Sequence, residues 1–133
     1  MYRVTKSIAF CYGHRLLHHQ GMCRHLHGHN ARAVITLEAE SLDALGMVVD
    51  FNDIKERIKS WIDREIDHVM LLHRDDPFLA VMREHDERVY VTDFNPTAEN
   101  IARMIFDYAR EQQLPVAEVT LWETETSYAT YRP

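Results

Sequence analysis

The chain has 133 residues, enough for one domain around one core, and 46% of them are hydrophobic. Its formal net charge is −6 with Lys and Arg scattered, which argues against a nucleic-acid footprint and against an anionic membrane surface. No apolar run approaches the ~20 residues of a membrane span. Met1–Ser7 has no signal-peptide core, and the two cysteines, Cys11 and Cys23, make no disulfide framework, so a reducing cytoplasm is expected. Residues 1–133 are expected to form a single domain.

Residues 2–12 read as a strand of loosely alternating, β-compatible residues ended by Gly13. His14 follows, and residues 15–26 have no clean period and read as a loop. Residues 30–40 are the clearest strand. Ala31, Ala33, Ile35, Leu37 and Ala39 share one face, and His27 and His29 lie on its lead-in in the same register. Asp50 or Asn52 can cap a helix running to about Ile66, with Ile54, Ile58, Trp61, Ile62 and Ile66 as its buried stripe. Residues 69–72 are apolar, 78–85 suit a short helix and 88–92 a short strand. Asn95-Pro96 marks a second long helix, with Asn95 as N-cap, running to about Gln112 over Ile101, Met104, Ile105, Tyr108 and Ala109. Residues 116–123 and 127–132 close the chain as two strands. The order strand, strand, helix, helix, strand, strand predicts an α+β fold: an antiparallel sheet of four strands with two helices on one face. Its open edges must be paired or blunted, and pairing between copies predicts a homo-oligomer.

The chemistry concentrates in Cys23-Arg24-His25-Leu26-His27-Gly28-His29. His27 and His29, two apart on a strand, project from one face. His14, at the end of the preceding strand, is the natural third ligand, because antiparallel neighbours bring it to the same place. Three histidines on a metal such as Zn²⁺ leave a fourth position open, the pattern of a catalytic site. Cys23 lies near that site. It is either a buried structural thiol or a functional one, and beside a cation it would act as a thiolate base or nucleophile. Cys11, mid-strand, reads as structural. Asp67-His68 pairs a carboxylate with an imidazole, but consecutive residues rarely bond side chain to side chain, so alone the pair is a weak signal. Glu123 reads first as an exposed strand-end charge, although a carboxylate there can also grip an amidine-like edge through two hydrogen bonds. His18, His19, His25, His73 and His85 read as surface residues. Arg15, Arg24, Lys6 and His25 are the basic groups near enough to serve a phosphate.

Taken together, six stretches resemble the family of 6-pyruvoyl- and 6-carboxy-tetrahydropterin synthases. Phe10-Cys11-Tyr12-Gly13-His14-Arg15-Leu16 is similar to its F-x-x-x-H-R-L, and Cys23–His29 to its C-x-x-x-H-G-H. Gly46–Phe51 resembles G-x-x-x-D-F, Ile66-Asp67-His68 resembles L-D-H, Asn95–Asn100 resembles N-P-T-x-E-N, and Glu123-Thr124 the late E-T. The chain departs from the common pattern at Tyr12-Gly13-His14, where A-A-H is usual, and at Leu72, where Asn is usual. The resemblance implies the tunnelling fold (T-fold), a β-β-α-α-β-β unit assembling as trimers or hexamers. It implies Zn²⁺ on His14, His27 and His29, with Cys23, Asp67 and His68 as catalytic proton-transfer residues. Glu123 would anchor a pterin, with Thr97 and Glu99 near it, and active sites would lie between subunits. The implied reaction is zinc-dependent conversion of 7,8-dihydroneopterin triphosphate to 6-carboxy-tetrahydropterin, losing acetaldehyde and triphosphate on the way to 7-deazaguanines such as queuosine. Alternatives are a 6-pyruvoyl synthase, which eliminates triphosphate without cleaving the side chain, and a non-catalytic pterin- or zinc-binding module.

Overall fold

A computed structural model describes Met1–Pro133. Two 13-residue strands, β1 (Tyr2–His14) and β2 (His27–Ala39), form a long antiparallel hairpin that pairs Tyr2 with Ala39 and His14 with His27. The register follows from the pattern, since a slip of one residue would turn Ala31, Ala33, Ile35 and Leu37 out of the core. A helix follows as α1 (Phe51–Ile54), a π-turn at Lys55–Lys59 and α2 (Ser60–Glu65). Asp50 caps it, its carboxylate accepting from Asn52 N at 2.8 Å. Then come β3 (Val69–His73), α3 (Phe78–Glu84), β4 (Val89–Thr92), α4 (Ala98–Glu111), β5 (Val116–Trp122) and β6 (Tyr128–Tyr131).

The sheet has six strands in the order β4-β3-β1-β2-β5-β6. The fold class is as predicted, but the sheet is mixed and larger than four strands. β3 runs parallel to β1, and β4 parallel to β3. Parallel pairs are joined through crossovers and carry no turn signal, and five- and four-residue apolar runs have no diagnostic period. One face of the sheet is covered by α1, α2 and α4. Ile54, Ile58, Trp61, Ile62 and Ile66 meet Ile8, Phe10, Ala33 and Ile35 there, together with Ile101, Ile105, Phe106 and Ala109 of α4. The predicted stripe of the first helix is buried throughout.

The N-cap of α4 is corrected. Thr97, rather than Asn95, occupies it, its Oγ1 accepting from Asn100 N at 3.2 Å. Asn95 does something the helix pattern could not show. Its side chain donates to Leu17 O at 2.9 Å and accepts from Leu17 N at 2.9 Å, clasping the 15–26 loop like a strand partner.

The same loop is anchored at Arg15. Its guanidinium donates from Nε and Nη2 to the two carboxylate oxygens of Asp76, both at 2.6 Å, and lies 3.9 Å over the Phe78 ring. The Asp76 side chain is fully buried, and Oδ1 also accepts from Phe78 N at 2.8 Å at the start of α3. Arg15 is therefore committed to structure rather than to phosphate. Burial alone would raise the Asp76 pKa, but the Arg15 and Phe78 hydrogen bonds hold it below the usual carboxylate range. With the native value depressed, the unfolded chain binds more protons in acid. The pair's stabilisation is thus complete above about pH 4 and is lost as pH falls through the native value. Asp76→Ala is expected to cost about 3 kcal/mol, since a nearly buried guanidinium is left alone. Urea unfolding at pH 7 and pH 3 should show the deficit at pH 7 and its shrinkage at pH 3; equal deficits at both would contradict this role.

Candidate metal centre and its two cavities

The β1–β2 hairpin brings His14, His27 and His29 together at its closed end, with one ring nitrogen of each within 4.8 Å of the others. Alternation puts all three on the core face with Tyr12 and Ala31. His14 and His29 approach Nε2 to Nε2 at 3.1 Å, close to the ~3.3 Å between two nitrogens on a tetrahedral zinc. His14 donates from Nδ1 to Pro96 O at 2.6 Å, and His27 from Nδ1 to His25 O at 2.7 Å. A carbonyl only accepts, so Nδ1 carries the proton in both rings and Nε2 keeps its lone pair, which in His14 faces His29. Burial lowers the pKa of His14, opposed by the Pro96 carbonyl and the Glu123 carboxylate. His29 is lowered chiefly by burial too. Neutral, oriented imidazoles are the form a metal requires, so the donor set fits Zn²⁺.

Glu123, just past the end of β5, leans into the cluster. Its Oε1 is 3.5 Å from Nε2 of His14 and of His29, and accepts from the Tyr12 hydroxyl at 3.0 Å. It is thus no free strand-end charge. Sequence reasoning missed Tyr12, which is 3% exposed. The signal was its register, two residues before His14 on the same face. Burial, reinforced by Glu123, raises the Tyr12 pKa and keeps the phenol a donor.

A cavity of about 310 Å³ beside the cluster is walled by His14, Cys23, Thr97, Glu99, Glu123 and Tyr128. Cys23 sits in a single 3₁₀ turn (Met22–Arg24), half-buried, where its carbonyl accepts from Leu16 N at 2.8 Å. The expected thiol, the expected anchoring carboxylate and the two residues expected near the pterin, Thr97 and Glu99, therefore share one cavity with a histidine of the cluster.

Asp67 and His68 do not join them. They lie between α2 and β3, where His68 N donates to Cys11 O at 2.7 Å. His68 opens onto a separate cavity of about 650 Å³ with Cys11, His27, His29, Met70 and Met82. The doubt about consecutive residues is corrected: Asp67 Oδ2 and His68 Nδ1 are 2.9 Å apart. His68 has φ = 58°, a left-handed backbone that brings the ring round to its neighbour's carboxylate. Burial would raise the Asp67 pKa, but the Cys11 amide and His68 hold it below the usual range. Within one chain the expected catalytic residues are thus divided between two cavities.

A family profile described as 6-pyruvoyl tetrahydropterin synthase matches residues 3–133. The chain is 40% identical over 135 residues to the 6-carboxy-5,6,7,8-tetrahydropterin synthase of Rickettsia bellii, covering 96% of this chain and 98% of that protein. It is 29% identical over 140 residues to the Haemophilus influenzae protein of the same name, covering 99% of each. Among solved structures, an uncharacterized protein from Wolinella succinogenes superimposes with a TM-score of 0.82 at 25% identity, covering 98% of this chain and 97% of that one. The Caenorhabditis elegans 6-pyruvoyl tetrahydropterin synthase shares the fold with a TM-score of 0.72 at 23% identity, covering 99% and 95%. With the profile matching residues 3–133 and a relative 40% identical over nearly the whole of both chains, this chain belongs to the 6-pyruvoyl tetrahydropterin synthase family.

Proposed function

We propose that the protein is a zinc-dependent 6-carboxy-tetrahydropterin synthase, converting 7,8-dihydroneopterin triphosphate to 6-carboxy-5,6,7,8-tetrahydropterin with loss of acetaldehyde and triphosphate. The observation that carries this reading is the three-imidazole cluster adjoining a cavity that also holds a thiol and carboxylates. The choice of the carboxy product rests on the relatives of that name.

His14, His27 and His29 would hold the metal. When bound, it supplies Lewis-acid polarisation of a side-chain oxygen on the substrate. Cys23 takes and returns a proton at the substrate side chain. Asp67 orients His68, whose imidazole moves the second proton. Glu123 accepts from the amidine-like edge of the pterin, held in place by Tyr12. Thr97 and Glu99 complete the wall. Because Cys23 and the Asp67–His68 pair open onto different cavities, the site is completed between copies, as a trimer or hexamer. The unpaired edges β4 and β6 support assembly. No helix is long and apolar enough to cross a membrane; the cytoplasm suits a protein with two free thiols.

Mass spectrometry of the product from zinc-loaded protein and dihydroneopterin triphosphate tests the reading. A 6-carboxy product with acetaldehyde is expected. A 6-pyruvoyl product would keep the site and move the activity to side-chain-retaining synthesis, and no product with zinc bound would favour a binding module.

A further inference from the structure

Outside the histidine cluster, one other group of side chains is arranged as ligands. Cys11 Sγ, an Asp67 carboxylate oxygen and a His68 ring nitrogen lie within 4.8 Å of one another. Two backbone bonds build this group at the β1–β3 junction. Cys11 N donates to Asp67 Oδ1 at 2.9 Å, and His68 N donates to Cys11 O at 2.7 Å. The first orients the carboxylate and leaves Oδ2 beside His68, as an outer partner orients a metal ligand. The left-handed backbone at His68 lets two consecutive side chains face the same thiol, which an ordinary strand would forbid. Cys11 and His68 open onto the 650 Å³ cavity, whose wall also carries Met70 and Met82.

We propose that Cys11, Asp67 and His68 form a second cation site, selective for thiophilic divalent ions of the zinc type, and that a cation there inhibits the enzyme. Thiolate, imidazole and carboxylate are zinc's usual donors. Donors on a tetrahedral zinc stand about 3.3–3.6 Å apart, so even a pair standing 4.8 Å apart need close by only about 1 Å. The His68 ring can move that far, its side chain being 73% exposed. A cation bound there occupies the Asp67 carboxylate and the lone pair of His68 together. The inhibitory half of this inference rests on the proton-transfer role given to that pair under Proposed function; the binding half does not.

The test is a zinc titration of the full chain, with zinc per chain measured by elemental analysis after equilibrium dialysis and product formation followed in parallel. Wild type is expected to bind two zinc ions per chain and Cys11→Ser one. His68→Gln, an exposed substitution, is expected to bind one as well and guards against misfolding of Cys11→Ser. Filling the second site should lower product formation more than tenfold in wild type, while Cys11→Ser keeps wild-type basal activity and resists the excess. One zinc in wild type, or two in both variants, overturns the site. Two zinc ions with undiminished turnover overturns its inhibitory action. Stoichiometry stays readable even if the preparation makes no pterin product, so failure of the activity and failure of this site are distinguishable.

Discussion

Replacing His27 with alanine is expected to strip the three-histidine site of its metal and the protein of its activity together. The cluster offers three nitrogen donors, each indispensable to a three-histidine zinc site. Loss of a partner that merely orients a ligand costs about 10–100-fold in affinity, so loss of the ligand itself should exceed about 100-fold. His27 is the right position to change. It is half-exposed and begins β2, whereas His14 is buried against Pro96. The metal-free variant should therefore unfold within about 1 kcal/mol of the metal-free wild type, as substitutions away from the core do. Competition against a chromophoric chelator gives the affinity, and thermal melts of both apo forms give the control. Stoichiometric zinc retained by a His27→Ala/Cys11→Ser double variant, which lacks a donor at both sites, would contradict the assignment.

Cys23→Ser should separate metal from chemistry. The thiol is not among the clustered donors, yet it lines the same cavity as His14 and Glu123. Zinc content should stay at the wild-type level while turnover falls about 10²–10⁴-fold, the usual contribution of a positioned proton-transfer group. The backbone at this position is held by Leu16 N at 2.8 Å to its carbonyl, and the loop by Asn95 and Arg15. The substitution therefore changes one atom rather than the loop. Near-normal turnover in a zinc-replete Cys23→Ser preparation would remove the thiolate from the mechanism.

The stretch Asn95-Pro96-Thr97 shows how far a local reading reaches. Read locally, Asn before Pro marks a helix start, and a helix does begin three residues after Asn95. Each of the three residues turned out to serve a different partner: Asn95 holds Leu17, the Pro96 carbonyl holds the His14 ring, and Thr97 caps α4. Two of those partners lie about eighty positions away in the chain, and no local pattern encodes them. Glu123 was underread for the same reason. Its neighbours in sequence are strand and turn, while His29 comes to it from β2, the strand beside β5, and Tyr12 and His14 from β1, one strand further on, all from the opposite half of the chain.

Periodicity and register were enough to determine the two long strands, the apolar stripe of the first long helix and the meeting of His14 with His27 and His29; in α4 they found Ile101, Ile105 and Ala109, but Ala102 and Phe106 are buried beside these while Met104 and Tyr108 are only partly covered. Those features depend on spacings of two and of three to four residues, which the chain displays directly. Tertiary structure alone decided that β3 and β4 extend the sheet in parallel and that Arg15 is spent on Asp76. It alone set Cys11 against Asp67 and His68, and placed the cavity of Cys23 apart from the one that His68 lines. The physical reason is common to all of these: parallel pairing, buried ion pairs and ligand clusters are made between residues distant in the chain, and their geometry exists only once the core has fixed which strands are neighbours.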